Sequence, residues 1–331
     1  MMKEDTTEIK KCLGCGSILQ CIDEKKEGYI PKNKYEENVL YCQRCFKLIN
    51  YNEKINNNIL LNEEDILRRV NESDAHAFFL IDFLNISNET INTFKKITIS
   101  KTLVLSKSDL IFDSINLNNI KKNIKEIYNI DEDIIFLSSI KNNNIDIIFK
   151  IMDKNKISTC YILGYTNAGK STLINTLLKN NKIATSYYMN TTLDFIELNI
   201  NDYKVIDTPG FSLKNSFYQE NEHNLMKKIN PKYFVSPKTY QTKKEQIFLI
   251  EDRLYLKDFN YNSITFYISN LIKIKKIYKD DEIKYREINI DDNSDIVIAS
   301  LGFVNVKKSC VIKVNEDLFN LISVRKSILK K

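Results

Sequence analysis

Residues 164–171 read Gly-Tyr-Thr-Asn-Ala-Gly-Lys-Ser. This spacing, G-x-x-x-x-G-K-S, makes a loop whose backbone N–H groups wrap phosphate oxygens. Its lysine reaches the outer phosphates and its hydroxyl is placed for Mg²⁺. The expected phosphate-contact set is Gly164, Asn167, Ala168, Gly169, Lys170, Ser171 and Thr172. Farther on, "YKVIDTPGF" (203–211) is a strand-like run ending in Asp207-Thr208-Pro209-Gly210. A carboxylate at that strand end can hold Mg²⁺ through water, and the Gly210 N–H can approach a terminal phosphate. Between the two motifs lie Thr191 and Thr192. Thr192 taken alone reads as a strand-start threonine. Between a phosphate loop and a DTPG segment it reads as a switch threonine that contacts Mg²⁺ and the last phosphate together.

The base must also be read. After the phosphate loop there is no Asn-Lys-x-Asp; "YKDD" (278–281) has the lysine and an aspartate but no asparagine. Before the loop, however, "KTLVLSKSDL" (101–110) is a strand-like run that ends in Ser106-Lys107-Ser108-Asp109. A second run, 133–137, ends in Ser138-Ser139. These fit a base-reading loop and a base-backing loop, in that order, each at a strand end. A doubly wound sheet gathers its binding loops at the carboxyl ends of its strands whatever their connection. Loops that precede the phosphate loop in the chain can therefore share its site.

Such a site needs strands that stop at the loops and a helix that starts from one. "STCYIL" (158–163) is strand-like, and the run after Lys170 places Leu173, Leu177 and Leu178 on one helical face. From 230 onward, apolar and polar residues alternate as in half-buried strands. His76 and His223 stand alone and read as surface or structural residues.

Cys12-x2-Cys15 and Cys42-x2-Cys45 are two thiolate pairs 26 residues apart. Two such turns close a tetrahedral shell of four thiolates, which suits structural zinc; a redox pair is the alternative, and Cys21 is a competing ligand. Seven cysteines, an odd number, argue against a disulfide framework.

With 43% hydrophobic and 28% charged residues the chain has a globular composition, and its length allows two or three domains. No apolar run approaches a membrane span: the longest, Ala77–Leu84, is broken by Asp82. The first twelve residues have acids and no apolar core, so a secretory leader is not expected and a cytoplasmic location is. The net charge of +6 is uneven: residues 213–331 hold 22 Lys+Arg against 15 Asp+Glu. That excess fits a polyanionic partner or a lysine-rich composition equally well. Lys232, Lys238, Lys243, Lys244, Lys273, Lys275 and Lys276 among tyrosines and phenylalanines form either an RNA-facing sheet or a solvated one.

Taken together, these segments resemble the circularly permuted GTPases of the YqeH type, a branch of ribosome-assembly GTPases. The likeness rests on the order of the motifs and on the two CxxC pairs of "CLGCGSILQ" and "YCQRCFKLINYN". "PKTYQ", "SITFYISN" and "IVIASLGFVNV" add to it farther on. It implies an α/β fold: a circularly permuted P-loop GTPase domain in G4-G5-G1-G2-G3 order, an N-terminal zinc finger and a C-terminal β-rich domain. The expected bounds are 1–50, 51–228 and 229–331. By resemblance, Asp109 bonds the guanine N1 and N2 edge, Lys107 packs along the ring, and Ser139, backed by Ser138, offers its N–H to O6. Lys170, Thr192, Asp207 and Gly210 serve hydrolysis, and Ser171, Thr192 and Asp207 serve Mg²⁺. Asn167 resembles a K⁺-binding asparagine, or is a loop cap. The implied cofactors are GTP/GDP, Mg²⁺, Zn²⁺ and K⁺. The implied partner is the small ribosomal subunit or its rRNA precursor, for a monomer with no membrane role.

Three features stand out. Ser106 replaces the family's asparagine, which predicts weaker guanine binding with specificity kept. Met189-Asn190 replace Pro-Gly before the switch threonine. Phe211 follows Gly210, where Ras-like enzymes carry the glutamine that orients water, so intrinsic hydrolysis is expected to be slow. Two other readings remain open: an RNA-binding assembly scaffold that holds nucleotide with little or no hydrolysis, and an NTPase of another base preference.

Overall fold

The structure is a computed structural model and describes residues 12, 17–24, 26, 28–32, 42–43, 62–110, 116–180, 188–189, 195–218, 222–230, 235–280 and 283–330. Cys15, Cys45, Asn190, Thr191, Thr192 and Lys232 lie outside these residues.

The first half alternates helix and strand: α1 (Glu63–Asn71), β1 (His76–Asp82), α2 (Asn88–Lys95), β2 (Lys101–Ser106), α3 (Leu117–Tyr128), β3 (Asp133–Phe136), α4 (Ile147–Lys154), β4 (Thr159–Gly164) and α5 (Lys170–Asn180). Then come β5 (Tyr188–Met189), β6 (Ile196–Ile200), β7 (Tyr203–Asp207) and α6 (His223–Ile229). The strands form one sheet of order β3-β2-β1-β4-β7-β6-β5. Strands β3 through β7 of that order run parallel, and β6 and β5 are antiparallel additions at the far edge. β1 lies centrally and every residue in it is buried. This is why its sequence is a continuous apolar run rather than an alternating one.

Local signals agree with these elements. The Asn62 side chain accepts from the Asp65 N–H and caps α1, whose acids lie in the first turn and arginines in the last. α3 is capped by Asn116 and ends at Asn129 in the left-handed region (φ 49°). Leu173 and Leu177 of α5 are fully buried, and Leu178 packs against the same core. His76 is structural: its ring is buried and sits 2.7 Å from Ser100 Oγ and 3.0 Å from Thr102 Oγ1. Burial lowers its pKa to about 4, so it is neutral at pH 7.

The chain then forms two antiparallel five-stranded sheets. One contains β9 (Ile247–Ile250), β10 (Leu254–Lys257), β12 (Ile274–Ile277), β13 (Tyr285–Ile290) and β16 (Cys310–Asn315). The other contains β8 (Lys238–Gln241), β11 (Ser263–Ile268), β14 (Ser294–Ile298), β15 (Gly302–Val306) and β17 (Ile322–Lys326). A second core joins Phe248, Leu256 and Val314 of the first sheet to Phe266, Ile296 and Val304 of the second. Phe217, Leu225 and Ile229 also belong to it.

β14 and β15 are buried on both faces. Ile296, Ile298, Val304 and Val306 point into the second core, whereas Val297 and Phe303 join the first. The seam between the two cores carries a buried ion pair: Arg325 Nε lies 3.2 Å from Asp295 Oδ2, with side chains 2% and 0% exposed. Asp295 also accepts from Asn305 Nδ2 at 2.8 Å and from the Ile328 N–H at 3.2 Å, while Arg325 donates to the Ile86 carbonyl across the seam. Asn123 of α3 donates to the carbonyls of Ile328 and Lys330 and fastens the last residues to the parallel sheet's domain. Among the described residues, no helix is long and apolar enough to cross a membrane.

Candidate nucleotide-binding site

The sheet ends β2, β1, β4 and β7 stand side by side, so Ser106, Asp82, Gly164 and Asp207 end neighbouring parallel strands. The loops that follow them therefore open on one edge, as the doubly wound geometry requires. The phosphate loop leaves β4 and runs into the start of α5 at Lys170, where unpaired helix N–H groups favour anions. Gly169 has φ +90°, and a Cβ there would meet nothing within 4 Å, so it faces open space on the concave side of the loop. Gly210 is different: a Cβ there would come within 2.9 Å of Lys170 Nζ and 3.1 Å of Thr166 Cγ2. A side chain here would crowd the end of the lysine, so the glycine keeps this turn close against it.

The DTPG segment is tied to the phosphate loop by its own backbone. The Thr166 N–H donates to the Phe211 carbonyl (2.8 Å) and the Phe211 N–H to the Gly164 carbonyl (3.1 Å). Thr208 Oγ1 donates to the Ile162 carbonyl at 3.1 Å. Phe211 itself is 2% exposed and stacks on Phe79 at 5.8 Å. It anchors the segment in the core and offers no polar group to a water.

The two charged groups differ in how far they are satisfied. Lys170 Nζ donates to the Gly164 and Tyr165 carbonyls at 2.9 and 3.2 Å, and burial lowers its pKa to about 8 against the pull of Asp207. Asp207 has its pKa raised to about 6, first by burial, with Lys170 and the Thr208 N–H opposing. Its Oδ1 is buried and has no hydrogen-bond partner. A buried carboxylate oxygen without a partner is costly unless a ligand completes it. Hydrated Mg²⁺ would do so, with the Ser171 hydroxyl at the start of α5 as a second contact.

The loop after β2, expected to read the base, shows the same sign. Asp109 Oδ1 is buried and unpartnered. Two adjacent N–H donors on a guanine edge fit an acceptor left open in this way. Ser106 is 2% exposed, and its hydroxyl lies 2.6 Å from the Ala168 carbonyl and 3.3 Å from the Ile81 carbonyl. A hydroxyl has one hydrogen to give, so it serves the tie to the phosphate loop and leaves no donor for the base. The Ser108 N–H donates to the Leu137 carbonyl (3.1 Å), which locks the loop to the end of β3. Beyond it, Ser138 is buried and exchanges backbone hydrogen bonds with Asn143. The Ser139 carbonyl accepts from Thr176 of α5.

The sequence places Lys107 along the ring and hides its partners. The residue has φ 57°, and its ammonium lies 2.7 Å from Asp82 Oδ2 and 3.4 Å from Asn230 Oδ1. Asp82 does leave a signal, as the one charge in the longest apolar run. Tyr218 leaves none: its hydroxyl accepts from Asn167 Nδ2 at 2.7 Å, and no motif marks it. Thr192 lies outside the described residues, and Met189 is described as pairing with Ile196 across β5 and β6.

The cysteine site is described in half. Cys12 and Cys42 are buried in a small cluster with Leu19 and Ile30, and the Cys42 N–H lies 3.1 Å from Cys12 Sγ. Thiolates at a metal commonly accept such amides, so these two residues fit one metal corner each. Among the described residues, no group of three or more metal-ligating side chains comes together.

The basic sheet is less basic than its composition. Lys275 pairs with Asp252, Lys273 lies 3.7 Å from the same carboxylate, and Lys257 pairs with Asp280 at 2.9 Å. Lys276 sits over the Tyr240 ring at 4.5 Å. The lysines at the loop end, Lys243, Lys244, Lys307 and Lys308, are exposed.

Two family models match. Residues 159–280 match the family described as "50S ribosome-binding GTPase", and residues 82–216 match "RsgA GTPase". The chain is 29% identical over 251 residues to the Bacillus subtilis protein named "Uncharacterized protein YqeH", covering 71% of this chain and 68% of that protein. It is 30% identical over 180 residues to GTPase Der of Karelsulcia muelleri, covering 52% of this chain but 36% of that one. The solved structure of YjeQ from Thermotoga maritima overlays on 42% of this chain and 49% of its own, with a TM-score of 0.33 and 21% identity. The two GTPase models meet on the phosphate loop and the DTPG segment, and with the likeness to YqeH they support a GTPase.

Proposed function

We propose that the chain is a guanine-nucleotide switch that hydrolyses GTP to GDP and phosphate and acts in assembly of the small ribosomal subunit. The observation that carries this is the pair of unpartnered buried carboxylate oxygens, Asp109 Oδ1 and Asp207 Oδ1. They lie at the ends of β2 and β7, on either side of a phosphate loop that follows β4. One meets a base edge and the other a hydrated cation. The ribosomal part rests on likeness: the match to the family described as "50S ribosome-binding GTPase" supports a ribosomal partner, and the choice of the small subunit comes from the resemblance to the YqeH type.

In this reading the domain is circularly permuted, with the base-reading and base-backing loops ahead of the phosphate loop. The Gly169 region and the start of α5 cradle the phosphates, Lys170 leaves its two carbonyls for a phosphate oxygen, and Ser171, Thr192 and Asp207 hold Mg²⁺. Bound Mg²⁺ supplies charge neutralisation of the phosphates. The Gly210 N–H meets the terminal phosphate, which a side chain at that position would block. Asn167, with its amide nitrogen on Tyr218, turns its carbonyl oxygen to K⁺. Cys12, Cys15, Cys42 and Cys45 hold a structural Zn²⁺ in the N-terminal finger. The exposed lysines at one end of the β-rich domain contact rRNA. The protein works as a cytoplasmic monomer.

Phe211, packed in the core, favours slow intrinsic turnover and so gives weight to the scaffold reading. Single-turnover phosphate release with and without small subunits separates the two. Release that rises with subunits supports the switch; none under either condition leaves the scaffold. Co-sedimentation with small subunits in a non-hydrolysable GTP analogue but not in GDP is the expected companion result.

A further inference from the structure

Two side chains outside every GTPase motif touch the nucleotide loops. The Tyr218 hydroxyl accepts from Asn167 of the phosphate loop at 2.7 Å. Asn230 Oδ1 lies 3.4 Å from the ammonium of Lys107 in the base-reading loop. Asn167 and Lys107 are the chain neighbours of Ala168 and Ser106, which are themselves joined at 2.6 Å. Tyr218 and Asn230 therefore flank one point, the place where the two loops meet. Both also line one cleft with Asp82, Thr166 and Ala168.

The residues beside them belong to the β-rich domain. Phe217 is 3% exposed in the second core, with Leu225 and Ile229 of α6. The Phe217 N–H donates to the Ala299 carbonyl at 3.2 Å and lies 3.0 Å from Ser300 Oγ, both in the β14–β15 turn. Ser216 Oγ is 2.8 Å from the same Ser300 hydroxyl. The two contacts on the nucleotide loops are thus mounted on the far domain's core.

We propose that Tyr218 and Asn230 are positioning residues for the guanine-nucleotide site, a two-point latch through which the β-rich domain holds the phosphate and base-reading loops together. The inference rests on the guanine-nucleotide reading. Asn167 and Lys107 are polar side chains that partners hold in one rotamer. Asp82 supplies one partner to Lys107 at 2.7 Å, and the latch supplies the others. Nucleotide release must part the two loops, so the latch slows it.

The test is stopped-flow release of mant-GDP from the full chain, with melting temperature recorded for each variant. Tyr218→Phe removes the hydroxyl and keeps the ring in place. Asn230→Leu removes the acceptor facing Lys107, whereas Asn230→Asp keeps an acceptor there. Both Asn230 variants lose the Nδ2 bond to the Met226 carbonyl, so that helix-end contact cancels between them. Each lost hydrogen bond is expected to speed release about threefold to tenfold. Y218F and N230L are expected to release faster, and N230D to release at or below the unsubstituted rate. Equal release from N230L and N230D, or an unchanged rate in Y218F, would overturn the latch while leaving the nucleotide site intact. No saturable mant-GDP binding by the unsubstituted protein would refute the guanine reading and the latch with it.

Discussion

Two aspartates divide the molecule into two kinds of region. Asp295, at the seam, is fully buried and fully answered: Arg325, Asn305 and the Ile328 N–H all reach its oxygens. Asp207, at the end of β7, is only partly covered as a residue, yet its buried Oδ1 has no partner and burial raises its pKa to about 6. The first carboxylate is used up in holding two cores together. The second is kept incomplete, which costs stability and leaves a place for a ligand. Asp109, with its own open oxygen, belongs with Asp207.

The contrast breaks most directly through substitution at the two sites. Asp295→Ala strands a buried arginine, and equilibrium unfolding should show a loss of about 3–5 kcal/mol. Nucleotide binding by the fraction that remains folded should change little. Asp207→Asn is the mirror image. It removes a destabilising charge, so the unliganded protein should lose no stability at pH 7 and is expected to gain some. Mg²⁺-dependent phosphate release should fall by about 10²-fold or more. If Asp207→Asn unfolds the protein as Asp295→Ala does, the distinction between the two regions is wrong.

Ser106→Ala sharpens the comparison on the base side. It deletes the tie to the Ala168 carbonyl, and titration with mant-GDP should show up to about tenfold weaker binding with the preference for guanine over adenine unchanged.

The smallest effect is a pH dependence with two opposed parts. His76 has a folded pKa near 4, below its ordinary 6.5, so its contribution is present above 6.5 and is lost as pH falls toward 4. Asp207 has a folded pKa near 6, above its ordinary 3.8, so its contribution is present below 3.8 and is lost as pH rises through 6. Between pH 4 and 6 the two slopes oppose, each up to about 1.4 kcal/mol per pH unit. Denaturation of His76→Gln should show stability rising more steeply than the unsubstituted protein as pH falls through this window, and Asp207→Asn should show the reverse.

Much of the parallel sheet was legible because its strands are apolar runs that stop at polar loops. β1, β2, β4 and β7 end within a residue or two of Asp82, Ser106, Gly164 and Asp207. The order of those loops could also be read, since each carries its chemistry in adjacent residues. What could not be read depends on contacts between distant residues. Lys107 meets Asp82 25 residues away and Asn230 123 residues away, and no local pattern encodes either meeting. The basic sheet misleads for the same reason. Lys275 and Asp252 are 23 residues apart, and strand pairing brings them together, so a count of lysines overstates the charge the sheet presents. The seam was hidden too, because β14 and β15 read as ordinary strands until both of their faces are seen to be covered.

Everything proposed for the site turns on "SKSD", ahead of the phosphate loop in the chain, reading guanine. A carboxylate at 109 accepts from two N–H groups, whereas an amide there presents a donor and matches the C2 carbonyl of xanthine. Competition of GDP and XDP for the site in Asp109→Asn tests this in one measurement. GDP affinity is expected to fall at least about tenfold and XDP affinity to rise. Unchanged GDP affinity in the folded variant would contradict the assignment.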